Sequence, residues 1–115
     1  MSKAKAGLRG MNASQKQIHA SVIHEHMDGN PNFPSPSPSM VEFAQAIQDL
    51  EKANVAALDR GRMAIAARNG AEAKITEMIT RLASYVNSVC LGDTTKILTS
   101  GFRLVKAPET LSTLH

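Results

Sequence analysis

The stretch Ile75-Thr76-Glu77-Met78-Ile79-Thr80-Arg81-Leu82-Ala83-Ser84-Tyr85-Val86-Asn87-Ser88-Val89 decides the fold of this chain. Ile75, Ile79, Leu82, Val86 and Val89 step by four, three, four and three residues, which puts all five on one face of an α-helix. Met78 and Tyr85 flank that stripe, while Glu77 and Arg81 stand on the wet side, spaced for an ion pair worth about 0.3 kcal/mol. Ahead of the stripe, the run from Met63 to Ala73 is rich in alanine, so a neighbouring backbone can approach it closely. The pattern predicts a helix over about residues 62–91, ended by Gly92 at the position where a left-handed cap is needed.

Upstream, Ser39-Met40-Val41-Glu42 has the form of a capping box, in which hydroxyl and carboxylate each satisfy a backbone N–H of the first turn. Met40, Phe43, Ile47, Leu50, Asn54 and Ala57 follow at helical spacing, predicting a helix over about 39–59. The stripe weakens at Asp59-Arg60-Gly61-Arg62, where the chain is expected to reverse. A single helix running through remains the alternative there, since one glycine costs only about 1 kcal/mol in a helix.

Before this hairpin lies Asn30-Pro31-Asn32-Phe33-Pro34-Ser35-Pro36-Ser37-Pro38, the linker over residues 30–38. Alternating prolines fix φ, remove donors and hold the preceding residues extended, so a stiff polyproline-like strap is expected, pinned by Phe33. Its other reading is a ligand for a proline-recognition module. A first helix over about 12–27 is predicted from Met11, Ile18, Val22 and Met27, with Ile23 beside them, and Asp28-Gly29-Asn30-Pro31 stops it. Beyond the long helix, Asp93 caps a short helix over 94–99, Ser100-Gly101-Phe102 turns, and Arg103 to Lys106 is extended.

These elements define an all-α chain: a three-helix bundle on a long antiparallel hairpin, with a Pro-rich strap and a short fourth helix. One domain spans residues 11–106, between a basic, flexible arm (1–10) and a disordered tail (107–115). The expected core is Phe43, Ile47, Leu50, Ile75, Ile79, Leu82, Val86, Val89 and Phe102. Only four residues are aromatic (Phe33, Phe43, Tyr85 and Phe102), so that core is aliphatic and suits close helix packing better than a β-sandwich.

Charge is uneven. Lys3, Lys5, Arg9 and Lys16 precede the first acid, Glu25, and the remaining chain is close to neutral. The arm is expected to be solvated and mobile, and its four cations, with Phe33, are the candidate partner contacts. Arg60, Arg62 and Arg68 make a second basic spot, but no aromatic platform accompanies them for nucleic-acid stacking. No secretory signal or membrane-spanning run is legible, and Cys90 stands alone; a cytoplasmic setting or a particle assembled there is the expectation, with no membrane partner.

The residues offer little chemistry. His19 and His26 share a helix face two turns apart, His24 and His26 point away from each other, and the i,i+4 pair of helical zinc sites is absent. Cys90 borders the apolar stripe with no charged partner in sequence, as a small core residue does. Asp49, Glu51 and Asp59 occupy polar helix sides, without the burial that makes a general acid. No catalytic residue, cofactor site or metal site is expected.

One further pattern emerges from the order of motifs. Met27-Asp28-Gly29-Asn30-Pro31-Asn32-Phe33-Pro34 comes first, then Ala66-Ala67-Arg68-Asn69, then Leu82-Ala83 with Tyr85-Val86-Asn87, and finally Gly92-Asp93 and Ser100-Gly101-Phe102. Over residues 11–106 the chain resembles a family of small bacterial and phage-associated helical modules, often found ahead of fibronectin type III-like domains. The resemblance implies a helical module with no established activity and no catalytic residues. The chain departs from the pattern by stopping near Lys106, where the β-domain of such relatives begins, and by carrying Gly70 within a helix. The expected function is therefore non-enzymatic: structural or assembly work through helical contacts with itself or other structural proteins, as in a virion. The alternative is nucleic-acid association through the basic arm.

Overall fold

In the computed structural model, which describes residues 3–104, the chain is mostly helical. Four α-helices, α1 (Ala13–Met27), α2 (Met40–Ala56), α3 (Arg62–Cys90) and α4 (Thr94–Leu98), lie between two short strands, β1 (Ala4–Lys5) and β2 (Arg103–Leu104). The expected tail (107–115), the end of the expected domain (105–106) and the first two residues of the arm lie outside the described residues.

Local chemistry accounts for the element ends. Ser39 and Glu42 form the expected capping box at α2. Asn12 and Gln15 form another at α1, their reciprocal hydrogen bonds both 2.9 Å long. After Ala56 the helix tightens into a 3₁₀ turn (Ala57–Asp59), Arg60 takes a left-handed φ of 59°, and extended Gly61 caps α3. A continuous helix is thereby excluded, and α2 ends three residues before the expected 59. α3 then runs back along α2: Val41, Glu42 and Gln45 share a groove with Lys74, Glu77, Met78 and Arg81. α3 stops with Leu91 and Gly92 both left-handed, and the Asp93 carboxylate accepts from the Lys96 amide to start α4.

Buried residues come from every helix: Ala20, Ile23 and Met27 of α1, Phe43, Ala46 and Leu50 of α2, Ile75, Met78, Ile79, Leu82 and Val86 of α3, and Ile97 of α4. Phe33 and Phe102 are buried with them, while Ile47 and Val89 are partly buried and packed against this core.

Two expectations about what α1 and the arm pack against differ from the structure. The buried face of α1 is not the Met11–Ile18–Val22–Met27 stripe, because Ile18 is 64% exposed and Val22 also faces solvent. The face that packs runs through Lys16, Ala20, Ile23 and Met27. Alanine reads as weakly apolar in sequence, yet its small side chain lets α1 lie close to both α2 and α3. The arm, expected to be mobile, is docked. Ala4 and Lys5 pair antiparallel with Leu104 and Arg103, and Ala4 is buried. On its other side Ala4 is met by the Asn87 amide, which accepts from the Ala4 N–H (2.7 Å) and donates to its carbonyl (3.2 Å). Both edges of this two-residue strand are thus hydrogen-bonded.

The strap lies along α3. The Ser35 N–H donates to the Tyr85 hydroxyl (3.2 Å), and Arg81 Nη2 donates to Ser37 Oγ (3.4 Å). The two contacts are two residues apart on the strap and four apart on α3, close to one helical turn. It bends at residues 34–35 and 37–38 and holds a cis Ser37–Pro38 peptide, so it is not an uninterrupted polyproline helix. Its two inward residues are Phe33 and Pro38, both buried. Arg81 is engaged with this strap, whereas Lys16 Nζ and Glu72 form an ion pair at 3.0 Å between α1 and α3.

Candidate functional site

Two of the motifs quoted above, Met27 to Pro34 and Ser100-Gly101-Phe102, meet at one corner, where the end of α1, the start of the strap and the turn after α4 come together. The Asn30 side chain donates to the carbonyls of His26 and Thr99, both at 3.1 Å. Its oxygen accepts from the Asn32 N–H, while Asn32 Nδ2 donates to the Thr99 hydroxyl. Ser100 is wholly buried; its hydroxyl donates to the Ile97 carbonyl and accepts from the Phe102 N–H. Between them Gly101 has a φ of +86°, and a Cβ there would sit 3.2 Å from the Ile23 Cα and 3.3 Å from the Val22 carbonyl. Phe102 then inserts edge-on to His19, with ring centroids 6.4 Å apart. The bonds from Asn30 and Asn32 to Thr99 stitch the strap to the turn after α4 at this corner. A shallow groove of about 400 Å³ beside it is lined by Met27, Asp28, Phe33, Pro34, Pro36 and Met40. Asp28 is its lone ionisable residue.

The histidines are dispersed. His19 Nε2 donates to the Ala6 carbonyl and His26 Nδ1 to the Val22 carbonyl, each at 2.8 Å, while the His24 ring lies 6.3 Å from that of Phe43. Among the described residues no three of His, Cys, Asp and Glu come together as a metal ion requires. His115 lies outside the described residues. Cys90 is buried; desolvation pushes its thiol above the ordinary range, Asp93 adds to this, and Lys96 opposes it. Asp49 accepts from Gln45 Nε2 (3.0 Å), and Glu42 and Glu72 are held in the capping box and the ion pair.

The candidate partner contacts separate into two groups. Lys3, Lys5 and Arg9 are exposed on the docked arm. Lys16 is withdrawn, because its ammonium binds Glu72 and the Thr76 hydroxyl (3.1 Å) in the α1–α3 interface. Phe33 is withdrawn as well: it is 2% exposed and packs 6.2 Å from the Tyr85 ring, as an anchor and not as a surface contact. Arg60 and Arg62 are exposed, whereas Arg68 turns into a crevice lined by Asn12, Ser14, Asn54 and Leu58. The second basic spot is thus reduced to two exposed arginines.

What remains open is the turn end of α2 and α3. Met63, Leu58 and Val55 are 88%, 78% and 64% exposed, and Ala66, Ala67, Gly70 and Ala73 are also exposed along α3. Of the structural hydrogen-bonding residues, Asn87 and Thr99 were not marked by sequence reasoning as contacts. Asn87 carries a signal nonetheless: an amide beside the apolar stripe of a long helix, where asparagine is a poor helix former. No protein-family model, curated protein or solved structure matches the chain. No described helix is long and apolar enough to cross a membrane.

Proposed function

We propose that this protein is a non-enzymatic structural or assembly protein, built as a three-helix bundle on an antiparallel hairpin and acting through its helical surface. It works as a homo-oligomer or as a component of a larger particle such as a virion, in a cytoplasmic setting. The observation that carries this reading is the apolar, unpartnered end of α2 and α3, with Val55, Leu58 and Met63 held out to solvent. Isolated exposed apolar residues are ordinary, but grouped ones beside a run of alanines suit contact with another helix. The interior is in keeping with the same reading: the side chains of Asn30, Asn87 and Ser100 are engaged in joining elements, and the thiol is buried. Membership of the family of phage-associated helical modules is part of the proposal and rests on the ordered motifs; structural phage genes beside this one are the expected neighbourhood. Sedimentation equilibrium and affinity capture test the whole: self-association, or recovery of a stoichiometric structural partner, is expected. A strict monomer with no such partner removes the reading.

One observation favours a second reading. Lys3, Lys5 and Arg9 are exposed on an arm that the β1–β2 pairing holds in place, so they form a fixed basic edge able to meet phosphates. If this edge binds nucleic acid, retention on a random duplex falls steeply with salt, by about one power of salt concentration per phosphate contacted. No retention at low salt disposes of it.

A further inference from the structure

Most of α3 lies against α1 and α2, but from Met63 to Ala73 one of its faces has no partner in the described chain, and Glu77, at the end of that face, borders the groove shared with α2. Met63, Ala66, Gly70, Ala73 and Glu77 recur by three, four, three and four residues, and all five are exposed. Gly70 stands at the middle of this face, and a Cβ built there meets nothing within 4 Å. Glycine is the poorest helix former after proline, and no packing inside the chain requires it at this position. Arg62 and Glu77, near the two ends of the face, are exposed and make no ion pair or hydrogen bond within the described residues.

Their placement is self-complementary. A second α3 laid antiparallel across the first, with the two-fold axis at Gly70, brings position 62 opposite 78 and 63 opposite 77. Arg62 of each copy therefore meets Glu77 of the other, roughly 11 Å along the helix on either side of the axis. Parallel stacking would instead bring Arg62 beside Arg62 and Glu77 beside Glu77. The alanines and Gly70 let the two helices approach to the short end of the usual ~8–10 Å interaxial range.

We propose that α3 forms a two-fold antiparallel contact with α3 of a second copy, centred on Gly70 and flanked by two symmetric Arg62–Glu77 pairs. This deepens the assembly reading and rests on it. In an isologous contact each substitution counts twice, so charge reversal is a sensitive probe. Sedimentation equilibrium from ~1 μM to ~1 mM is expected to show a reversible dimer. Arg62→Glu and Glu77→Arg should each weaken it by about tenfold, and the double variant should return to within about threefold of wild type. Gly70→Leu should abolish dimerisation while the circular dichroism and melting temperature of the fold are kept or raised, because nothing occupies the space it enters. Gly70→Cys should oxidise to a 70–70 disulfide-linked dimer, with Cys90 too buried to compete. An oligomer indifferent to all these changes uses another face: the inference is then overturned and the assembly reading stands. A wild-type monomer across the range also overturns the inference, and the assembly reading is then decided by partner capture alone.

Discussion

At the scale of single residues, Gly101 is the most constrained position in the chain. It needs both a left-handed φ and the absence of a side chain, because α1 backbone lies 3.2–3.3 Å from where a Cβ would be. Gly101→Ala combines a left-handed penalty of ~1 kcal/mol with an overpacking cost of ~1–3 kcal/mol, so chemical denaturation should show a loss of several kcal/mol. Asn87→Ala removes two hydrogen bonds to Ala4 and leaves that buried N–H and carbonyl without partners. A loss of roughly 1–3 kcal/mol is expected, with faster amide exchange at residues 4 and 5. Cys90 should react slowly with thiol reagents in the native protein and at the free-thiol rate in denaturant. Its folded pKa lies above the unfolded one, so the associated stability is intact below the ordinary thiol range. That stability is lost as pH rises through the raised folded value. The sequence marked Gly101 and Cys90 well, one as a turn and the other as a small buried residue. It did not reveal what Gly101 approaches, since a contact between positions 101 and 23 leaves no local trace.

At the scale of elements, α3 was the most legible, because five branched apolar residues in helical register permit one buried face only. Leu82, fully buried at its centre, should cost about 2–5 kcal/mol on replacement by alanine, and thermal melting of Leu82→Ala checks it. α1 was legible as a helix but not in its orientation. Its larger apolar residues, Ile18 and Val22, compete with a face of Ala20, Ile23 and Met27, and only the close approach of neighbouring helices decides between them. The docking of Ala4 and Lys5 was not legible for a related reason: two residues carry too little pattern to announce a strand whose partners lie at Asn87 and Leu104. The caps at Ser39 and Asp93 were readable because their chemistry is complete within four residues. The same locality makes a gain predictable. Gly70→Ala should stabilise the fold by about 1 kcal/mol, seen as a higher melting temperature.

Taken as a whole molecule, the chain divides its roles between two ends. At one end the polar stitches of Asn30, Asn32, Ser100 and Gly101 hold α1, the strap and α4 together. At the other, the turn between α2 and α3 is left apolar and uncovered. None of this division could be read from sequence, where a stitching asparagine and a binding asparagine look alike until their partners are known.

Finally, the ladder that joins Ala4 to Leu104 and Lys5 to Arg103 has a mechanical consequence. Its strands are antiparallel, so chain entering before Ala4 and chain leaving after Leu104 depart from the same end of the pair. Tension applied across those two flanks therefore peels the rungs apart one at a time and does not shear them together. The arm and β2 should yield first at low force, while α2 and α3 stay packed until the load reaches the helices themselves. In a single-molecule pulling trace this appears as a small early extension before the main rupture, and Asn87→Ala should bring that first step to still lower force.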